Sequence, residues 1–254
     1  MERMFEGKTL VMTGAGCGYG MSSAFPLAFA KEGCNLVLNY YDGDSEDIKE
    51  YTKKLEGYGV KVVWVKGDIS QEEVAKKLIA TAIYEFGKID ILVNVAGISN
   101  PKLIEDISFE EWHRMLGVSL DSTFLTCKYA VPYMKKQRSG RIINISSQLG
   151  QKGSATRTHY TAAKAGIIGF TKSLARELGD YGITANCIAP GPVETQFIGK
   201  LDEDWKKKQA SELPLKRYGK LDEVIPSALF LASDPGGNLY TGQTLGPNCG
   251  DVML

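Results

Sequence analysis

Short apolar runs recur along this chain with helically spaced stretches between them, and that alternation limits the fold more than any single motif. The runs are Thr9-Leu10-Val11-Met12, Leu36-Val37-Leu38, Val60 to Val65, Ile89 to Val93, Arg141 to Ser147, Ile183 to Ile188 and Gln243-Thr244-Leu245. Helical spacing is expected over Ala24 to Ala30, Asp44 to Leu55, Gln71 to Phe86, from Ser108 through Met115, about Leu120 to Lys136, Ala162 to Leu178 and about Asp222 to Ala232. Strands separated by helices of about 10–15 residues signal right-handed crossovers and a parallel sheet covered on both faces. With 254 residues such a sheet can bury a full core, so 1–254 reads as one doubly wound α/β domain. The rhythm lapses only after Ala189-Pro190-Gly191-Pro192. The charged segment 193–215, with Phe197, Leu201 and Trp205 as its apolar anchors, reads as a substrate lid leaving a strand end.

Charge excludes some partners. Lys plus Arg and Asp plus Glu number 30 each, so no global field recruits nucleic acid or an anionic membrane. Nowhere do about 18 apolar residues run together without a charge, and the expectation is a soluble, cytoplasmic protein. Cys17, Cys34, Cys127, Cys187 and Cys249 are scattered and form no CxxC pair, which fits reduced thiols and implies no metal.

Two places carry chemistry. The first run breaks into Thr13-Gly14-Ala15-Gly16-Cys17-Gly18-Tyr19-Gly20 and then a helix. Glycines between a first strand and a first helix let a pyrophosphate approach the free N–H groups at the helix start. A tight strand-to-helix turn is the blander reading, and the position favours dinucleotide binding. Pro26 is placed early in that helix, where a missing N–H costs least. The second place is Tyr160-Thr161-Ala162-Ala163-Lys164, whose spacing puts a phenol and an ammonium on one helix face. A nearby cation favours the phenolate and lowers the phenol pKa from about 10. Ser147 closes the preceding strand, and a hydroxyl, a phenol and a lysine together suit chemistry on a carbonyl or carbinol oxygen.

In this order and spacing, Thr13-Gly14 with Gly18 and Gly20, Asp68, Asn94-Ala96-Gly97, Ser147, Tyr160 with Lys164, and Pro190-Gly191 with Thr195 resemble a classical short-chain dehydrogenase/reductase over nearly the whole chain. The resemblance implies a seven-stranded parallel Rossmann sheet and an NAD(P)-dependent exchange of hydride with a secondary alcohol or ketone. It implies Tyr160 as acid/base, Lys164 on the nicotinamide ribose and lowering the Tyr160 pKa, and Ser147 on the substrate oxygen. The dinucleotide would meet Gly14, Gly18, Tyr19 and Gly20 at its phosphates, and Tyr40 and Asp42 at the adenosine ribose. Asp68 and Ile69 would meet the adenine, Asn94, Ala96 and Gly97 the nicotinamide ribose, and Pro190, Gly191, Val193 and Thr195 the carboxamide. A homotetramer is also implied, consistent with apolar residues on more than one face of two helices, among them Phe124, Leu125, Tyr129, Ile167, Ile168 and Phe170.

One departure stands out. The family usually has asparagine in a Val-Asn-Leu-like triplet, and here the triplet is Val118-Ser119-Leu120. The resemblance implies that this asparagine holds a water on the proton route of Lys164, the relay water, which Ser119 would hold in its place. Ser119 is the one feature favouring a second reading, a nucleotide-binding regulatory or scaffold protein. Asn39-Tyr40, strand three and Gly242-Gln243 most resemble 3-oxoacyl-carrier-protein reductases and look-alikes acting on sugars, polyols, cyclic ketones or steroids. Cys17, Tyr40 and Tyr41 stand where a ribose phosphate calls for Arg or Lys, and Asp42, Asp44, Glu46 and Asp47 follow, so the lean is to NAD(H). His159 reads as a loop or cap histidine.

Overall fold

A computed structural model of the chain describes residues 3–18, 20–194 and 203–253. The strands are β1 (Thr9–Thr13), β2 (Asn35–Tyr40), β3 (Val62–Lys66), β4 (Ile91–Asn94), β5 (Gly140–Ile145), β6 (Ile183–Ile188) and β7 (Thr244–Leu245). All pair in parallel in the order β3-β2-β1-β4-β5-β6-β7. The order reverses between β1 and β4, and the carboxyl ends of strands at such a switch point leave a crevice for a ligand.

The helices are α1 (Met21–Lys31), α2 (Ser45–Glu56), α3 (Glu72–Phe86), α4 (Phe109–Leu116), α5 (Ser122–Gln137), α6 (Leu149–Lys152), α7 (Thr158–Leu178), α8 (Glu203–Glu212) and α9 (Leu221–Ala232). Successive strand residues point to opposite faces, so each strand feeds two cores. Leu10, Met12, Leu36, Leu38, Ile143 and Ile145 pack against α1, α2 and α9. Val11, Val37, Val65, Leu92, Ile142 and Ala185 pack against α3, α5 and α7. Among the described residues no helix is long and apolar enough to cross a membrane.

Three local departures from the sequence pattern matter for the site. The two helices expected around Met115 and Leu120 are one rod, joined through a π-helical turn at Gly117–Asp121, which puts Ser119 inside the widened turn. Helix α1 starts at Met21, so Pro26 is its sixth residue and lies deeper than the sequence placed it. Proline there leaves the Ser22 carbonyl without its helical donor, and Gly16 N–H of the glycine turn takes that acceptor at 3.2 Å. The segment expected as a lid contains α8, while Phe197 and Leu201 lie outside the described residues, as does the Trp205 side chain.

Candidate active site

At the end of β1 the chain turns at Gly14, whose φ is +65°, and a Cβ there would lie 2.7 Å from the Ala96 backbone. The glycine turn can therefore press against the loop after β4 only without a side chain. Thr13 Oγ1 holds that loop from the other side, accepting from Val95 N at 3.1 Å and Ala96 N at 3.2 Å. Ser23 Oγ donates to the Gly18 and Gly20 carbonyls, and Ala15 N–H donates to the Asn39 carbonyl at 2.8 Å. The start of α1 has no side-chain cap and no acidic residue in its first turn. Free N–H groups and the positive end of the helix thus face the crevice, and these residues fit the pyrophosphate of a dinucleotide. Tyr19 and Thr195 lie outside the described residues.

The residues expected at the adenosine end lie at and beyond the ends of β2 and β3. Tyr40 packs edge-on against Trp64, ring centroids 5.6 Å apart, and Ile69 is buried. Asp42 accepts from Gly43 N–H at 2.9 Å and so braces its own turn. Asp68 accepts from Ser70 N–H, Ser70 Oγ and Arg114 Nη1. Partial burial pushes its carboxyl up, but the Ser70 hydrogen bonds and the Arg114 guanidinium outweigh this and hold it below the usual range. Two cations reach this end that the local sequence did not reveal. Lys66 Nζ stands 5.8 Å from the Tyr40 ring centroid, and the Arg114 guanidinium 5.7 Å from that of Tyr41. Both come from other elements, so the stretch after β2 gave no sign of them.

Asn94 does not present its side chain to the crevice. Its side chain is buried and turned into the protein, donating to Asn144 Oδ1 at 2.9 Å and accepting from Thr126 Oγ1 at 2.7 Å. Only its backbone remains to line a ribose, alongside Ala96 and Gly97. Gly97 faces the reactive centre: a Cβ there would be 3.3 Å from Lys164 Nζ and 3.6 Å from Ser119 Oγ. Pro190 and Gly191 are pinned by Gln148 N–H on the Pro190 carbonyl at 3.0 Å and by Gly191 N–H on the Pro247 carbonyl at 3.1 Å. Val193 bridges to Gly219.

The centre itself forms where β5 ends against α7. Ser147 lies just beyond β5 and accepts Leu149 N–H at 3.1 Å. The short helix α6 crosses α7 at Gly150, where a Cβ would sit 2.7 Å from the Lys164 carbonyl carbon. Tyr160 and Lys164 share a face of α7 as their spacing predicts, with Nζ 5.9 Å from the phenol ring centroid. Lys164 is 4% exposed, and Nζ donates to the Ile145 carbonyl at 2.8 Å. Burial lowers its pKa from 10.5 to about 8. Burial also raises the Tyr160 pKa, against the Ser147 hydrogen bond and the Arg157 charge, which oppose the shift. In the protein alone, then, desolvation outweighs any help from Lys164, and the phenol stays protonated at neutral pH. Ser119 Oγ and Gln148 Oε1 are among the buried oxygens of the described residues that have no protein partner. His159 is 1% exposed and its Nδ1 is also unpartnered, so it is a core residue of α7 and not a surface cap.

Comparison with known proteins agrees with this fold. The family model described as Enoyl-(Acyl carrier protein) reductase matches residues 14–250. The 3-oxoacyl-acyl-carrier-protein reductase FabG of Thermotoga maritima is 38% identical over 248 residues, covering 98% of this chain and 99% of that protein. The same-named protein of Staphylococcus epidermidis is 35% identical over 246 residues, covering 97% and 99%. A Brucella melitensis crystal structure titled as a short-chain dehydrogenase/reductase, glucose/ribitol dehydrogenase, superposes with a TM-score of 0.89 at 33% identity and full coverage of both chains. With a 3-2-1-4-5-6-7 sheet, a glycine turn at its switch point and relatives alike over nearly their whole length, the chain belongs to the short-chain dehydrogenase/reductase family.

Proposed function

We propose that this NAD(P)-dependent oxidoreductase works as a ketoreductase on 3-oxoacyl thioesters, with Ser147, Tyr160 and Lys164 as its catalytic residues. The observation that carries the reading is the placement of the half-buried Tyr160 phenol, with Lys164 Nζ 5.9 Å from its ring centroid and its pKa raised by burial against an opposing Ser147 hydrogen bond. Reduction of a ketone consumes a proton at oxygen, and a phenol held above its ordinary pKa keeps that proton through the neutral range. The names of the FabG relatives support the choice of a 3-oxoacyl group. A bound nicotinamide dinucleotide supplies the hydride. Ser147 Oγ donates a hydrogen bond to the ketone oxygen and fixes it beside the phenol. Tyr160 gives its proton to that oxygen as negative charge gathers there. Lys164 holds the ribose and, as an ammonium, steadies the phenolate left behind. Segment 193–215 would close over the substrate. Beyond Ser119 nothing favours the regulatory or scaffold alternative, and Tyr160 and Lys164 share a face of α7 beside the strand end that carries Ser147.

The test is reduction of acetoacetyl-coenzyme A followed at the nicotinamide absorbance, beside a panel of cyclic ketones, polyols and sugars. Turnover of the thioester at least tenfold above every other compound is expected, about 1.4 kcal/mol. A polyol or sugar preferred over it overturns the acyl reading. The rate should fall as pH rises past about 8, where Lys164 loses its ammonium. A rate that climbs from pH 7 to 9 would contradict a phenol donor.

Ser119 Oγ, buried and unpartnered on the Lys164 side of Gly97, is proposed to hold the relay water. Ser119→Ala is expected to slow reduction about tenfold, at the low side of what a proton route contributes, with coenzyme Kd unchanged. Ser119→Asn should keep or raise the rate. An unaltered rate and pH profile in Ser119→Ala removes Ser119 from the mechanism.

NAD(H) is the proposed coenzyme, because Cys17 takes the place of a phosphate-binding cation and Asp42, Asp44, Glu46 and Asp47 repel a ribose phosphate. Lys66 and Arg114 work against that repulsion. The expected result is a higher kcat/KM with NADH. A preference for NADPH of about tenfold or more would show that the two cations decide the matter.

A homotetramer is the proposed assembly, because on α5 Phe124 is 47% exposed while Leu125 beside it is buried. Sedimentation at micromolar concentration should show the assembly, and a monomer would refute it.

A further inference from the structure

We infer that Asn144 is a positioning residue, tying the loop after β4 to the helix that carries Tyr160 and Lys164. The inference concerns how the site is held and does not depend on which ketone is reduced.

Asn94, Asn144 and Cys187 occupy one row across the sheet, in register between β4, β5 and β6. A strand buried on both faces ordinarily carries Val, Ile or Leu at such places. Here the row faces α5 and α7, and its polar groups find one another. Thr126 Oγ1 on α5 donates to Asn94 Oδ1 at 2.7 Å. Asn94 Nδ2 donates to Asn144 Oδ1 at 2.9 Å and to Cys127 Sγ at 3.6 Å. Asn144 Nδ2 donates to Thr171 Oγ1 on α7 at 2.8 Å. Thr171 Oγ1 donates to the Ile167 carbonyl at 2.7 Å and accepts from Cys187 Sγ at 3.1 Å. Asn94, Thr126, Asn144, Thr171 and Cys187 are all at most 3% exposed.

Placing five polar side chains in an apolar interior costs free energy that apolar residues of equal volume would avoid. The return is direction. Asn144 lies three residues before Ser147, and Thr171 lies seven after Lys164, two turns along the same face of α7. The amide therefore fixes the axial height and rotation of α7 against the strand that delivers Ser147. Through Asn94 it fixes the same helix against the loop that presents Ala96 and Gly97. Packing alone leaves a helix free to slide by fractions of an ångström on a sheet. Misplacement of a reacting group by about 1 Å can cost 10²-fold in rate.

Thr171→Val keeps the shape of the side chain and removes the acceptor. With saturating NADH and acetoacetyl-coenzyme A, it is expected to lower kcat about tenfold while coenzyme Kd, read from nicotinamide fluorescence, moves less than about twofold. Thr171→Ser, which keeps the hydroxyl, should return kcat to within about threefold of wild type. Asn144→Leu should show the same fall, and the double variant should be no slower than the slower single one, because both break one link. A Thr171→Val enzyme that melts lower yet turns over within about twofold of wild type overturns the inference, as does a Thr171→Ser enzyme as slow as Thr171→Val. Where Asn144→Leu does not fold, the threonine pair decides alone. A wild type inactive on acetoacetyl-coenzyme A refutes the acyl substrate only, and the same variants are then compared on cyclohexanone.

Discussion

Tyr160→Phe lowers ketone reduction by about 10²- to 10⁴-fold, the range over which a positioned acid contributes, and leaves coenzyme Kd nearly unchanged. The substitution removes the one transferable proton at the centre and little volume. Ser147 keeps its hydrogen bond from Leu149 N–H, and Lys164 keeps its bond to the Ile145 carbonyl. The fall should therefore appear in kcat and kcat/KM together, the signature of an interaction made only in the transition state. Steady-state rates with fluorescence-derived Kd values check it. Retention of more than a tenth of the wild-type rate would mean that another group delivers the proton.

Lys164→Met should produce two effects of opposite sign. Turnover falls by about 10²- to 10³-fold, because the ammonium that steadies the phenolate and grips the ribose is gone, and coenzyme Kd rises with it. The folded protein, however, becomes more stable at neutral pH. Lys164 is charged below pH 8 in the folded state and below 10.5 when unfolded, so its burial penalty is present in full at pH 7 and is relieved as pH rises between those values. That shift corresponds to about 3 kcal/mol. The Ile145 carbonyl loses its donor, which takes back about 1–2 kcal/mol. A net gain of about 1–2 kcal/mol raises Tm by a few degrees for a chain of this size. Thermal melts at pH 7 should show the gain, and at pH 10 it should shrink. A variant that melts below wild type at pH 7 would mean that the ammonium is better satisfied than its surroundings imply.

These two results turn on desolvation, which the sequence could not supply. Tyr160 and Lys164 four apart on a helix predicted a lowered phenol pKa, and the phenol is raised instead because its burial outweighs the opposing Ser147 hydrogen bond and Arg157 charge. Spacing along a helix states which side chains are neighbours. It does not state how much solvent remains around them.

The sequence by itself determined the sheet, the glycine turn and the meeting of Ser147, Tyr160 and Lys164, because strand periodicity, turn chemistry and helical spacing are local properties of adjacent residues. Tertiary structure alone decided where Asn94 points, which cations reach the adenosine end and what braces the glycine turn. Asn94 turns inward because Asn144 and Thr126, 50 and 32 residues away, offer it partners. Lys66 and Arg114 approach Tyr40 and Tyr41 from β3 and α4. Gly16 N–H finds the Ser22 carbonyl because Pro26, four residues further on, cannot use it. The first two depend on contacts between distant elements, which exist only once the sheet has brought them together, and the third on the glycine turn folding back onto its own helix.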